Sequence, residues 1–167
     1  MNGESGLEQR VQRLEDEREI LANMYQYGHS HDYGPLDEFL DCFVEDGAWE
    51  RQRRDTPSQR RPRAVYEGRE ALTEYFHAHK RAPDLFYKHL VVEPRITLAG
   101  DEANVVSYFV KIDEHPDGPY VYAFGRYRDH LVRCADGRWR FKRRIAETED
   151  ALVKDWTREH DARPATG

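Results

Sequence analysis

Three turn signals divide the second half of the chain: Ala99-Gly100-Asp101, His115-Pro116-Asp117-Gly118 and Ala135-Asp136-Gly137. Between them lie long runs rich in Val, Ile, Tyr and Phe. Gly supplies positive φ in tight turns, and Pro and Asp favour turn positions. Runs of this kind joined by Asp-Gly turns pair as antiparallel neighbours. The spacing predicts strands over 86–98, 103–112, 120–134 and 138–145. In the last, Arg138, Arg140, Lys142 and Arg144 alternate with Trp139, Phe141 and Ile145, the period of a half-buried strand.

The first half reads as helices. Val11, Leu14, Leu21, Met24, Tyr25 and Gly28 recur at three-and-four spacing, which predicts one apolar helix face. This helix runs from Leu7 to about His31 and stops at Tyr33-Gly34-Pro35, where Gly and Pro break helices. Residues 1–9 are expected to fray. A short second helix places Leu36, Phe39, Leu40 and Phe43 on one face and ends at Glu45-Asp46-Gly47, after which Ala48-Trp49-Glu50 opens a strand. A third helix is expected over 69–81, with Leu72, Tyr75 and Phe76 inward and Pro83 as its stop. The stretch from Arg51 to Arg63 holds six Arg and one Asp. It reads either as a solvated hairpin loop or as an anion-attracting lip or partner contact. Residues 148–167 form a charged tail, with a short helix around Ala151–Trp156. The order implies one α+β domain with helices on one side of a mostly antiparallel sheet.

Composition narrows the function classes. The net charge of −6 and a pI near 5.8 argue against a nucleic-acid binder, which is usually basic. No stretch approaches the roughly 20 apolar residues of a membrane span. Met1–Arg13 lacks an apolar segment, so no secretory signal is expected. Cys42 and Cys134 lie far apart, and Cys42, near Leu40 and Phe43, reads as a buried thiol. A reduced, cytoplasmic protein fits these features.

Asp32 is an anomaly. It lies seven residues after Tyr25 and four after Gly28, so on a helix it projects from the apolar stripe. A carboxylate there is costly unless paired or hydrogen-bonded. It is either paired, or a helix-end carboxylate that frays into water or bonds to backbone in the Tyr33-Gly34 turn. His89 opens the apolar run Leu90-Val91-Val92, as a satisfied core residue or as a catalyst. An Asp beside a His would fix the imidazole tautomer and stabilise the imidazolium. The His could then take a proton from carbon or oxygen and return it elsewhere. His29-x-His31 and His77-x-His79 are spaced two apart, so neither makes a helical zinc pair. His29, Asp32 and His89 would form a two-His-one-carboxylate set, but no metal is expected. Phosphate-loop, dinucleotide and nucleophile-elbow motifs are absent.

Leu14 through Trp49 resembles the N-terminal signature of SnoaL-like proteins, in the nuclear transport factor 2-like superfamily. The residues that carry this are Ile20-Leu21, Tyr25, His31-Asp32-Tyr33-Gly34 and Leu40-Asp41-Cys42-Phe43-Val44-Glu45-Asp46-Gly47-Ala48-Trp49. Tyr66-Glu67-Gly68-Arg69-Glu70-Ala71-Leu72 is similar to that family's third helix. Gly125-Arg126-Tyr127-Arg128-Asp129 and Asp136-Gly137-Arg138-Trp139-Arg140 resemble its last two strands. The resemblance covers residues 10–147 and implies a cone-shaped α+β barrel: a curved sheet with three helices packed on it. The scytalone dehydratase and lindane dehydrochlorinase branch looks nearest. It implies an Asp ending the first helix paired with a His on a central strand, and Asp32 and His89 stand at those positions. It also implies no cofactor and a homodimer or homotrimer. The chain departs from scytalone dehydratase in one respect: the strand neighbouring His89, expected around Ser107 and Tyr108, carries no second His.

The expected function is a cofactor-independent lyase or isomerase, of dehydratase, cyclase or isomerase type, acting on a hydrophobic cyclic small molecule. Asp32 and His89 would be catalytic, and Tyr25, His29, Trp49 and Tyr108 would contact substrate. No nucleic-acid or membrane partner is expected. The alternative is a non-catalytic binding or assembly module, like the small subunits of ring-hydroxylating dioxygenases.

Overall fold

The computed structural model describes residues 2–53 and 64–149. The elements are α1 (Asn2–Asp32), α2 (Leu36–Asp41), β1 (Phe43–Arg53), β2 (Ala64–Glu67), α3 (Gly68–His77), β3 (Tyr87–Ala99), β4 (Glu102–Asp113), β5 (Tyr120–Arg133) and β6 (Trp139–Thr148). Six strands form one sheet in the order β2-β1-β6-β5-β4-β3. β3 to β6 make the antiparallel meander that the turns predict. β1 joins it by pairing parallel with β6 and antiparallel with β2. α1 packs on β3 and β6, and α3 on β1. Ile20, Met24, Tyr27, Phe39, Phe109 and Phe141 lie in the core between helices and sheet. No helix among the described residues is long and apolar enough to cross a membrane.

Several boundaries differ from expectation. α1 begins at Asn2, within the segment expected to fray. Its predicted apolar stripe is only partly its core face: Val11, Leu14 and Tyr25 are 44, 66 and 50% exposed. The buried face instead runs through Asp16, Ile20, Asn23, Met24, Tyr27, Ser30 and His31. The polar members have partners, which is what makes their burial tolerable. Asp16 accepts from Trp139 Nε1 at 3.1 Å and from Arg133 at 2.6 Å, and Asn23 donates to the Cys42 carbonyl at 3.3 Å. Phe43 opens β1 instead of closing α2, and the expected stop at Glu45-Asp46-Gly47 is an irregularity inside β1. α3 ends at His77, with Leu72, Tyr75 and Phe76 buried as expected. Most of the Arg-rich loop and nearly all of the tail lie outside the described residues.

β6 shows why alternation alone misreads a strand. Leu131 pairs with Phe141 but His130 pairs with Arg143, so Lys142 is an extra residue. Such a bulge reverses which residues face inward. Trp139 and Phe141 are buried, and beyond the bulge so is Arg144, at 0% exposure. Arg144 donates twice to Asp129, at 3.1 Å each, with its guanidinium 3.9 Å from the Tyr127 ring centre. Burial pushes the Asp129 carboxyl up to about 6, against the pull of Arg144. Cys42 is buried as expected, and burial pushes its thiol up to about 12.

Candidate functional site

Asp32 is the last residue of α1, and His89 is the third residue of β3. The helix stops there because Gly34 and Pro35 follow, and Gly34 closes the last turn by donating to the Ser30 carbonyl at 3.0 Å. α1 can approach β3 closely because its facing residue is Gly28, where a Cβ would lie 3.1 Å from the His89 carbonyl oxygen. Asp32 Oδ1 accepts from His89 Nδ1 at 2.5 Å, and Oδ2 accepts from the His89 backbone N–H at 2.9 Å. The carboxylate thereby holds both the ring and the strand that carries it. With Nδ1 donating, the neutral ring presents its lone pair at Nε2. The side chains are 5% and 11% exposed, so the pair is shielded from water but reachable.

Aromatic and imidazole rings back the pair. The His31 ring centre lies 4.5 Å from that of His89, and its Nε2 shares a hydrogen bond with the Tyr75 hydroxyl at 3.2 Å. Burial, with repulsion from His89, His79, Arg81 and Lys111, holds His31 well below the usual imidazole pKa, so it is neutral. Burial also lowers His79, against its bond to the Tyr75 carbonyl. Trp49 stacks on Tyr75 with ring centres 4.3 Å apart. The Tyr87 ring meets the His89 ring edge-on at 5.3 Å, and burial with the nearby Asp32 pushes its hydroxyl up to about 12.

Asp32 and His89 border a cleft of about 260 Å³, which Tyr25, His29, Tyr33 and Lys88 also line. Tyr25 and His29 are thus brought to the expected pair. Trp49 is not among the cleft residues; it sits in the aromatic wall behind it. Tyr108 is placed elsewhere. It is 53% exposed, while Ser107 and Phe109 beside it are buried, so it projects from the outer face of the sheet. Strand parity decides this, because residues one apart face opposite sides. The register also corrects the expected neighbour of His89: Tyr108 pairs with Val92, and the residue opposite His89 is Lys111. Tyr87 and Lys111 were not singled out in the sequence, and His31 and Tyr75 were named there without a place at the site. Lys111 shares the parity of the inward Phe109, which is the signal that could have found it.

His31, Asp32 and His89 offer ligand atoms within 4.8 Å of one another. His29, the other histidine of the set considered in the sequence, is exposed at the cleft and is not a member of this cluster. The 2.5 Å contact between Asp32 and His89 is shorter than the about 3 Å that separates neighbouring ligand atoms at 2.0–2.1 Å from one metal. As arranged, these atoms form a hydrogen bond and not a coordination shell.

The SnoaL-like domain family matches residues 12–145. Among curated proteins none is significantly similar in sequence. Rv3472 of Mycobacterium tuberculosis, a protein of unknown function, is similar in structure at 30% identity and TM-score 0.68, over 89% of this chain and 77% of that one. A nuclear transport factor 2-like protein with a cystatin-like fold from Novosphingobium aromaticivorans gives 22% identity and TM-score 0.75, over 94% and 97%. A protein from the same organism named as the beta subunit of an aromatic-ring-hydroxylating dioxygenase gives 23% and 0.65, over 83% and 91%.

Proposed function

Since the chain belongs to the SnoaL-like family, we propose that it moves a proton on a small hydrophobic cyclic molecule, as a lyase or isomerase working through Asp32 and His89. The observation that carries this is the 2.5 Å hydrogen bond from His89 Nδ1 to Asp32 at the edge of the cleft. Nε2 of His89 takes a proton from the substrate, and Asp32 stabilises the imidazolium that forms. The imidazolium returns the proton to another atom, which gives an isomer, or to a departing hydroxyl, which gives water and an alkene. Neither route calls for a cofactor. Tyr25 and His29 hold the substrate from the helix side.

Solvent exchange tests the reading. Cyclic ketones incubated with the protein in deuterium oxide should lose the proton beside the carbonyl, followed by NMR. Asp32→Asn and His89→Gln should each slow the exchange by about 10²- to 10⁴-fold. Exchange that proceeds equally in Asp32→Asn rejects the dyad. The second reading, an assembly module, is favoured by the exposed apolar outer face of the sheet, where Val106, Tyr108 and Phe124 are 38, 53 and 42% exposed. It predicts no exchange with any ketone.

A further inference from the structure

One buried atom beside the dyad has no partner. His31 is 1% exposed, and its Nδ1 makes no hydrogen bond. The other ring nitrogen is occupied by the Tyr75 hydroxyl at 3.2 Å. Nδ1 lies 3.9 Å from Asp32 Oδ1, the same oxygen that accepts from His89 Nδ1 at 2.5 Å. Leaving a buried polar atom unpaired costs about 1–3 kcal/mol, and the proton transfer above makes no use of it. Two imidazole nitrogens and one carboxylate oxygen thus converge within 4.8 Å of one another. All three side chains are largely buried.

This donor set suits a zinc-type divalent ion, which takes neutral imidazole nitrogen and carboxylate oxygen at about 2.0–2.1 Å. Burial keeps His31 neutral, and the neutral ring is the form that ligates. Its bond to Tyr75 fixes the ring from behind, as the outer partner of a metal-bound imidazole usually does. Neighbouring ligand atoms of a four-coordinate ion stand roughly 3.3 Å apart. The two contacts to Asp32 Oδ1, at 2.5 and 3.9 Å, lie on either side of that value. To receive an ion, the first must open and the second close by roughly 0.6–0.8 Å each. Asp32 and His89 border the cleft, so an ion can enter there and keep water on its open side. Lys111, whose charge also reaches His31, is paired with Asp113.

We propose that His31, Asp32 and His89 bind a zinc-type divalent ion, which takes the place of the proton shared by Asp32 and His89. Without metal the pair closes into its short hydrogen bond. With metal, Nδ1 of each histidine and Oδ1 of Asp32 become ligands. The Nδ1 proton of His89 passes to Nε2 of the same ring, and the freed Nδ1 lone pair goes to the ion. The imidazole stays neutral throughout. Nε2 then carries a proton and cannot accept another, so the ion switches the base off. The site itself stands on the geometry of the three side chains; only its inhibitory effect rests on the dyad reading.

The test titrates zinc chloride into the whole protein at neutral pH, followed by calorimetry and proton NMR. Wild type should bind one ion per chain at micromolar concentration, and the downfield Nδ1 proton resonance of His89 should vanish as it binds. Magnesium chloride, an ion that prefers oxygen ligands, should leave that resonance in place. His31→Gln keeps the bond between Asp32 and His89, and should bind zinc at least about tenfold more weakly. If His31→Gln loses the circular dichroism spectrum of the parent, the wild-type resonance decides alone. Three results overturn the site: no zinc bound by wild type, zinc as tight in a folded His31→Gln, or zinc bound with the resonance unchanged, which is an adventitious ion only. The dyad reading fails on a different result, unchanged exchange in Asp32→Asn, and a protein that fails there can still bind zinc here.

Discussion

Gly28 and His89 touch through backbone: a Cβ on Gly28 would lie 3.1 Å from the His89 carbonyl oxygen. Two effects oppose each other in Gly28→Ala. Alanine favours the helix by about 0.5–1 kcal/mol. The new methyl also pushes on a strand carbonyl that has no flexible end to move, at about 1–3 kcal/mol. We expect a net loss of about 1 kcal/mol in urea unfolding. The larger effect should be local. The ring proton of His89, held in the short bond to Asp32, should resonate far downfield by NMR in wild type and shift upfield in Gly28→Ala. An unshifted resonance would show that α1 and β3 keep their spacing without the glycine.

His31 should make the fold acid-sensitive. Its folded pKa is depressed by burial, so below its unfolded pKa of about 6.5 the native state binds fewer protons than the unfolded chain. The stability it contributes is therefore full above that pH and is lost as pH falls below it. Between pH 7 and 5 the loss from one neutral imidazole amounts to at most roughly 2 kcal/mol. His31→Gln should lose correspondingly less over the same interval. Parallel stability curves for wild type and His31→Gln would contradict the depressed pKa. His79 is lowered in the same direction and adds to the effect.

Gly125 allows no side chain. A Cβ there would sit 2.0 Å from the Glu147 carbonyl oxygen and 3.1 Å from the Phe109 ring. Both neighbours are held, one in the β6 ladder and one in the core. Gly125→Ala should cost about 3 kcal/mol or more, at the upper end of overpacking penalties. A melting temperature within a few degrees of wild type would mean that β5 and β6 separate there more easily than their pairing suggests.

The outer face of the sheet should carry a second copy of the chain. Leu90, Val92, Val106, Tyr108 and Phe124 lie 38–53% exposed on three adjacent strands, and patches of this kind mark association surfaces. A homodimer or homotrimer is expected in sedimentation at micromolar concentration. Val106→Asp combined with Phe124→Asp should yield monomer with the circular dichroism spectrum of the parent. A wild-type protein that sediments as monomer would remove this surface from consideration.

Much of the fold was legible because its signals are local. Asp-Gly turns and β-rich runs placed four strands, and Leu72, Tyr75 and Phe76 were placed inward on α3. Asp32 and His89 stood out as polar residues in apolar runs, and they meet at 2.5 Å. What was missed depends on register. Arg144 moved inside because Lys142 shifts the strand by one residue. Tyr108 fell on the outer face, and Lys111 on the inner one, by the same parity. Val11 and Leu14 misled because apolar residues need not be buried, whereas Asp16 and Asn23 are buried with partners.

β6 is the last strand among the described residues, yet it lies between β1 and β5 near the middle of the sheet. During synthesis, therefore, β1 and β2 have no place in the larger sheet until the chain has emerged as far as Thr148. The meander of β3 to β5 can zip up early through local pairing, while the N-terminal hairpin and the helices above it wait for a partner about 95 residues downstream. Until then the nascent chain has one sheet edge open and unpaired, the state in which aggregation and chaperone capture compete with folding. Shortening the protein from its C-terminus into β6 would not trim the domain; it would divide it in two.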